Sequence, residues 1–198
     1  MSEIEMTGEL FLLVRQNQPA VAPPVTEFNA DALLVEAARH GDQEAFARLY
    51  KLYAPMVHGV LLARVPWAEV DDLVQDVFLT VHRRLETLRN SNAFGGWVAM
   101  IARNRAMDFH RRSRKTEELH EEFAEQTRSE ANADAARVLS VLRELPEAYR
   151  ETLVLRLVEG MTGPEIAERT GLTPASVRVN LHRGMKLLRE KLGLEAAS

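Results

Sequence analysis

The chain has 198 residues and a formal net charge of −4, with 46% hydrophobic and 27% charged residues. This composition fits one or two small folded domains and excludes a wholly disordered or fibrous protein. Cysteine is absent, which excludes disulfides, thiolate zinc sites, iron–sulfur clusters and a cysteine nucleophile, and predicts a reducing, cytoplasmic location.

Residues 1–28 contain three prolines and no regular apolar period, which predicts an extended leader rather than a domain. The acidic start MSEIEMTGEL lacks the positive charge of a secretory signal. Charged or histidine side chains interrupt every hydrophobic stretch of the chain, and none reaches the roughly 20 apolar residues that a spanning helix needs. The sequence therefore predicts no export and no membrane insertion.

Residues 29–115 show apolar positions at helical spacing throughout. Four successive helices are predicted here. The first ends at Gly41, and the second begins after the capping residue Asp42. The third covers residues 69–89, and the fourth runs from Phe94 to about residue 114. Pro55 removes a backbone donor, which predicts a kink or break near Ala54 in the second helix. Two adjacent glycines at positions 95 and 96 are expected to loosen the start of the last helix.

Residues 116–134 carry seven acidic residues against one arginine and few apolar residues, which predicts a flexible acidic linker. Beyond it, helices are predicted from Ala135 to Glu144, Pro146 to Val158, Gly163 to Arg169 and Pro174 to Leu192. No strand pattern is visible. The predicted fold class is all-α, with two small helical domains at residues 29–115 and 135–194 joined by this linker.

Charge is segregated along the chain. Residues 94–115 carry six Lys or Arg against one acidic residue, and residues 172–192 carry five against one. Residues 66–81, in contrast, carry four acidic residues and no Lys or Arg. Because local charge decides which surface attracts a polyanion, the chain offers two basic surfaces suited to nucleic acid despite its overall acidity.

Residues 161–192 have the sequence pattern of a helix-turn-helix. Thr162 and Glu165 form a predicted capping box, and Gly171 can end that helix in the left-handed conformation. In the following helix an apolar stripe faces the core and the opposite side is basic. A structural helix with a solvated basic face is the alternative to DNA recognition. If the helix enters a major groove, the residues that contact DNA are Ser176, Arg178, Val179, His182, Arg183 and Lys186.

Leu79 lies almost opposite the apolar stripe of the helix predicted over residues 69–89. A bulky apolar side chain ringed by carboxylates suits the docking of a basic protein partner better than a catalytic pair, and an isolated surface leucine is the alternative. The same exposed face carries Asp72, Gln75, Asp76 and Arg83, with Phe78 at its edge.

The helix predicted from Phe94 begins with aromatic residues and is basic along one side. Aromatic side chains beside cations are typical of single-strand stacking, although Trp97 taken alone is more often a core residue than a stacking platform. Arg105 falls near the core stripe, where an ion pair with Asp108 three residues later is the simplest explanation.

Three motifs carry a family resemblance: DDLVQDVFL at 71–79, FGGWVAMIARNRAMDFHRRSR at 94–114, and LPEAYRETLVLRLVEGMTGPEIAERTGLTPASVRVNLHRG at 145–184. They resemble the extracytoplasmic-function sigma factors of bacterial RNA polymerase, over about residues 30–192. The resemblance implies that residues 29–115 bind core RNA polymerase and open the minus-ten promoter element, and that residues 135–194 read the minus-thirty-five element. It implies core RNA polymerase and promoter DNA as partners, no cofactor or metal, and the anti-sigma factor that is common in the family.

The resemblance also assigns residues. A surface that grips the clamp helices of the largest polymerase subunit is implied at Asp72, Gln75, Asp76, Phe78 and Leu79. Capture of a flipped base and the other minus-ten contacts are implied at Asn90, Ser91, Asn92, Phe94, Trp97, Arg103, Asn104, Asp108, Arg111 and Arg112. Where family members often have Lys-Ser-Arg in the recognition helix, this chain has Arg178, Val179 and Asn180, so no promoter sequence is transferred.

Two other classes of function compete with this interpretation. A stand-alone helix-turn-helix repressor or activator would bind a palindromic site as a dimer and use its N-terminal helices to dimerise or sense a ligand. An enzyme is the weakest alternative, because the six histidines show no metal-ligand spacing and no nucleophile motif or glycine-rich phosphate loop is present.

Overall fold

The computed structural model of the chain describes residues 30–117 and 133–194. Every regular element in these two ranges is helical, which confirms the predicted all-α class. The predicted leader, and residues 118–132 of the predicted linker, lie outside the described residues. The helices are α1 (Ala30–Arg39), α2 (Gln43–Leu62), α3 (Val70–Arg84), α4 (Phe94–Glu117), α5 (Ala133–Glu144), α6 (Glu147–Leu157), α7 (Gly163–Thr170) and α8 (Pro174–Leu192).

Helix α2 is the central element of the N-terminal half and contacts α1, α3 and α4. It begins where Asp42 Oδ1 accepts hydrogen bonds from the amides of Glu44 and Ala45, at 2.9 and 3.0 Å. Of the kink or break predicted near Ala54, the break is absent, because the helix continues through Pro55 without interruption. Buried side chains before and after the proline pack into the same core. This packing stabilises the helix although the proline lacks one backbone hydrogen-bond donor.

Helix α3 is shorter than the predicted span of residues 69–89. Short 3₁₀ turns flank it at Trp67–Glu69 and Leu85–Thr87, and a third, Ser91–Ala93, leads into α4. The buried valines of α3, at positions 70, 74, 77 and 81, follow the helical period that the sequence shows.

The C-terminal half contains the predicted helix-turn-helix in α7 and α8. The capping box is present: the Glu165 amide donates to Thr162 Oγ1, and the Thr162 amide donates to Glu165 Oε2. Gly171 ends α7 at φ +73°, the left-handed conformation that favours glycine. Thr173 then caps α8, and Val177 and Leu188 bury the stripe predicted to face the core.

The two halves pack directly against each other. Helix α6 lies against α2, and α7 lies against α4. One hydrophobic core therefore runs continuously through both halves. Residues 151–155 of α6 are all buried, because this helix packs on α8 on one side and on α2 on the other. The helix-turn-helix and the N-terminal helices are thereby held in one compact arrangement.

Candidate functional site

The outer face of α8 is open to solvent and basic. Arg178, Val179, His182, Arg183 and Lys186 are all exposed. Ser176 is exposed as well, and its backbone amide donates to Thr173 Oγ1 at 3.1 Å within the helix cap. The face that the sequence assigns to DNA is therefore present as one continuous surface, with its apolar side in the core.

A second candidate surface lies on α3. Leu79 is 53% exposed, and Asp72 and Gln75 are exposed on the same face. The expectation that Phe78 lies at the edge of this surface is wrong. Phe78 is only 4% exposed and packs on Tyr50 of α2, with 4.5 Å between the ring centroids, so it supports the surface from below.

The prediction of an ion pair between Arg105 and Asp108 is also wrong. Arg105 instead pairs with Asp76 of α3 at 2.5 Å, and Asp108 pairs with Arg111 at 3.0 Å. The reason is tertiary: α3 and α4 pack side by side, so a carboxylate 29 residues away lies nearer to the guanidinium than the one in the next turn. Asp76 is thus part of the α3–α4 contact as well as of the α3 surface.

The segment 90–94 before α4 is held by its own side chains. Asn90 Oδ1 accepts from the Asn92 amide at 3.1 Å, and the Ser91 hydroxyl donates to Glu36 of α1. Phe94 was expected among the DNA-facing residues, and the structure shows it as a core residue. It is 1% exposed and makes a T-shaped contact with Tyr53 at 4.9 Å, because α2 covers the first turn of α4.

The predicted DNA-facing side of α4 is mostly exposed beyond this first turn. Trp97 is half-buried beside Phe94. Asn104, Arg111 and Arg112 are exposed, and Asp108 is half-buried. Sequence reasoning missed Met100 and Met107, which are exposed on the same face as Asn104 and Arg111. Their seven-residue spacing, two helical turns, was the available signal.

Arg103 differs from the other residues assigned to DNA, because its side chain is bound to a carboxylate of the C-terminal half. It reaches across to the C-terminal half and holds Glu151 of α6 with two hydrogen bonds, Nε to Oε2 at 3.0 Å and Nη2 to Oε1 at 2.6 Å. Arg64 reaches the same carboxylate with Nη2 at 2.5 Å from Oε2. We refer to these three residues as the Arg64–Glu151–Arg103 cluster.

The cluster keeps its carboxylate ionised although Glu151 is only 4% exposed. Burial would raise the pKa of Glu151, but hydrogen bonds and charge from Arg103 and Arg64 outweigh burial and hold that pKa below its ordinary value. The hydrogen bond to Glu151 in turn raises the pKa of Arg103. The sequence analysis did not single out Glu151. The available signal for its burial is that an acidic residue directly precedes the mostly apolar run TLVL.

Further polar contacts join the two halves. His58 Nδ1 lies 2.6 Å from Glu159 Oε1, and this hydrogen bond, against the opposing effect of burial, raises the pKa of His58. Arg169 donates to the backbone oxygen of Leu52, and Arg150 donates to that of Ala63 at 3.2 Å. The contact between the halves is therefore specific in its hydrogen bonding as well as apolar.

Within residues 30–117 and 133–194, no cluster of three or more His, Asp or Glu could hold a metal ion. In the same part of the chain, no helix combines the length and apolarity required to cross a membrane.

Comparison with known proteins assigns each half of the chain to a family model. The family model "Sigma-70 region 2" matches residues 43–116, and "Sigma-70, region 4" matches residues 135–188. The RNA polymerase sigma factor CarQ of Myxococcus xanthus is 34% identical over 166 residues, which cover 80% of this chain and 95% of CarQ. The ECF RNA polymerase sigma-E factor of Haemophilus influenzae is 27% identical over 179 residues, 82% of this chain and 95% of that protein.

The chain belongs to the extracytoplasmic-function family of RNA polymerase sigma factors. Such a sigma factor binds core RNA polymerase and directs it to promoters, with region 2 recognising the minus-ten element and region 4 the minus-thirty-five element. In this chain region 2 comprises α2 to α4, and region 4 comprises α5 to α8.

Two solved structures have a similar fold. The sigma factor CnrH of Cupriavidus metallidurans, solved in complex with the cytosolic domain of CnrY, is similar with a TM-score of 0.60 and 28% identity, over 85% of this chain and all of that one. The sigma factor RpoE of Bartonella quintana, solved with the anti-sigma factor NepR, shares the fold with a TM-score of 0.54 and 19% identity, over 77% of this chain and 99% of that one.

Proposed function

We propose that this sigma factor uses three surfaces, one for each of its contacts. The α3 surface around Leu79 binds the clamp helices of core RNA polymerase, and the segment 90–93 with α4 binds the opened minus-ten element. The exposed face of α8 reads the minus-thirty-five element in the major groove. The observation that carries this proposal is the α8 face, whose basic and polar residues are exposed together while its apolar stripe is buried.

The proposal also sets the functional units of the chain. Residues 29–115 form the polymerase-binding and promoter-opening unit, and residues 135–194 form the minus-thirty-five unit. The protein acts in the cytoplasm, where its polymerase partner is, and has no cofactor, metal or catalytic chemistry of its own.

An anti-sigma factor is the proposed regulatory partner. CnrH was solved with CnrY and RpoE with the anti-sigma factor NepR, and both sigma factors share the fold of this chain. Because CnrH is similar over 85% of this chain, we propose that a protein of the same class binds here.

Arg178 and Lys186 should respond differently to replacement by alanine. If Arg178 pairs with a guanine through two hydrogen bonds, Arg178→Ala should cost about 1 to 3 kcal/mol on the preferred minus-thirty-five sequence and little on variants of that base pair. Lys186→Ala should weaken binding to all duplexes alike and flatten its salt dependence, because a phosphate contact carries no sequence information. The measurement is the affinity of holoenzyme for promoter duplexes at two salt concentrations.

Lys191→Ala is the matched control, because Lys191 pairs with Glu144 at 2.7 Å within region 4 and lies outside the proposed DNA face. Its affinity for DNA should stay at the wild-type value. Equal losses for Arg178→Ala and Lys186→Ala on every minus-thirty-five variant would show that Arg178 does not read a base.

A further inference from the structure

The basic face of α8 carries an exposed apolar side chain at its centre. Val179 is 43% exposed and lies outside the hydrophobic core. Its neighbours on the helix surface, three and four residues away in each direction, are exposed as well: Ala175, Ser176, His182 and Arg183. Val179 therefore lies in the middle of the proposed DNA face and not at its rim.

Neither helix stability nor core packing explains a valine at this position. Valine is β-branched and has a lower helix propensity than alanine or the long polar residues. The apolar stripe that holds α8 in the core runs along the other side of the helix, through Val177 and Leu188. An isolated surface hydrophobic residue is the alternative, and in that case Val179 contributes nothing to DNA binding.

Base edges in the major groove offer an apolar side chain one attractive group. All four bases present hydrogen-bond donors or acceptors there, and thymine alone adds a C5-methyl group. A valine side chain makes no hydrogen bonds, so covering a polar edge would remove water from that edge without replacing its hydrogen bonds. Covering a methyl group instead removes apolar surface of both partners from water, which is worth about fourfold in affinity for one methyl group.

The valine side chain is also preorganised for such a contact. In a helix, valine adopts one χ1 rotamer in about 90% of cases, so fixing it against a base costs little side-chain entropy. Arg178 directly before it and Arg183 one turn later are exposed. Their charges attract the duplex and fix how the helix lies in the groove, which brings the methyl groups of Val179 against the base edges.

We propose that Val179 is a specificity-determining residue that reads one thymine of the minus-thirty-five element through the C5-methyl group of that base. Ala175, which is exposed one turn earlier on the same line of the helix, extends the apolar strip toward the start of α8. The inference rests on the proposed function for the placement of α8 in the major groove. It adds the chemical group that is read and the side chain that reads it.

The test removes the methyl group from the DNA. Holoenzyme is assembled from core RNA polymerase and the full-length sigma factor, and its affinity for a promoter duplex is measured at one fixed salt concentration. Each thymine of the minus-thirty-five element is replaced in turn by deoxyuridine, which pairs with adenine and lacks only the C5-methyl group. With the wild type, one replacement should weaken binding about threefold to fivefold. With Val179→Ala, the same replacement should change affinity less than about 1.5-fold, because the γ-methyl groups that make the contact are gone.

The converse experiment adds the methyl group to another base. The sensitive thymine–adenine pair is replaced by cytosine–guanine, with and without a methyl group at C5 of the cytosine. Wild-type holoenzyme should bind the methylated duplex about threefold to fivefold more tightly than the unmethylated one. Val179→Ala should bind both duplexes alike.

Lys186→Ala is the matched control for weakened binding. Lys186 is exposed on the same helix, and its replacement is expected to lower affinity for all duplexes. Because Lys186 makes no contact with the methyl group, this variant should keep the full uracil effect. Circular dichroism should show wild-type helix content for Val179→Ala, since alanine favours the helix at an exposed position.

The outcomes separate this inference from the proposed function. Wild-type binding that no uracil replacement weakens, or a full uracil effect in Val179→Ala, would overturn the reading of a thymine methyl group by Val179. The proposed function would still hold in that case if base-pair changes in the minus-thirty-five element altered the affinity. If no base-pair change in that element altered it, the placement of α8 in the major groove would itself be wrong.

Discussion

Replacing Leu79 by alanine together with Asp72 by lysine should weaken binding to core RNA polymerase by at least about 2 kcal/mol, more than tenfold in Kd. Leu79 is 53% exposed and Asp72 is exposed beside it, so neither change removes core packing. An apolar anchor at the centre of an interface carries much of its binding energy, and a reversed charge repels a basic partner. Asp76 is left intact because its replacement would break the ion pair with Arg105.

The measurement is the affinity of the purified sigma factor for core enzyme, with helix content followed by circular dichroism. Leu33→Ala is the matched control: Leu33 is 70% exposed on α1, so the same change is made at a leucine outside the proposed surface. This control should bind at wild-type strength. A double variant that binds core as tightly as the wild type would show that the α3 surface is not the docking site.

Phe94→Ala should lower the free energy of unfolding by about 3 to 5 kcal/mol, the usual cost of removing a fully buried phenyl ring. Phe94 is among the largest fully buried side chains and packs against Tyr53, so its loss leaves a cavity between α2 and α4. The measurement is denaturant unfolding followed by circular dichroism.

Trp97→Ala provides the comparison, since Trp97 is half-buried next to Phe94 and should cost less. If Phe94→Ala unfolded like the wild type but no longer opened promoters, Phe94 would be a DNA-facing residue and not a core residue.

The helix-turn-helix could be predicted because its signals are local. The capping box between Thr162 and Glu165, the left-handed Gly171 and the apolar stripe of α8 each depend on residues within one or two helical turns. Local chemistry is fully visible in a sequence. The same holds for the exposure of Leu79, which follows from its position opposite a regular stripe of valines.

The errors concern contacts between distant segments. Helical periodicity separates an inner from an outer face, but α2 covers additional positions of its neighbours, so Phe78 and Phe94 are buried against Tyr50 and Tyr53. The Arg105 pair with Asp76 joins residues 29 positions apart. Nothing in the local pattern of charges indicates such a partner.

The contact between the two regions was the feature that could least be predicted from the sequence. Arg103 and Glu151 are 48 residues apart, on either side of the acidic segment. The family resemblance implies a DNA contact for Arg103, and Glu151 has no assigned role in the sequence analysis. Gly95 was expected to loosen a helix start, whereas in the structure it permits a close backbone contact with Arg169.

Runoff transcription on genomic DNA fragments with purified core RNA polymerase tests the central claim most directly. Core enzyme with the sigma factor should give discrete transcripts from a small set of start sites, each preceded by related minus-ten and minus-thirty-five sequences, and core enzyme alone should not. The account would be contradicted if the protein gave no promoter-specific transcript with core enzyme from its own bacterium and instead bound a palindromic duplex as a dimer without polymerase.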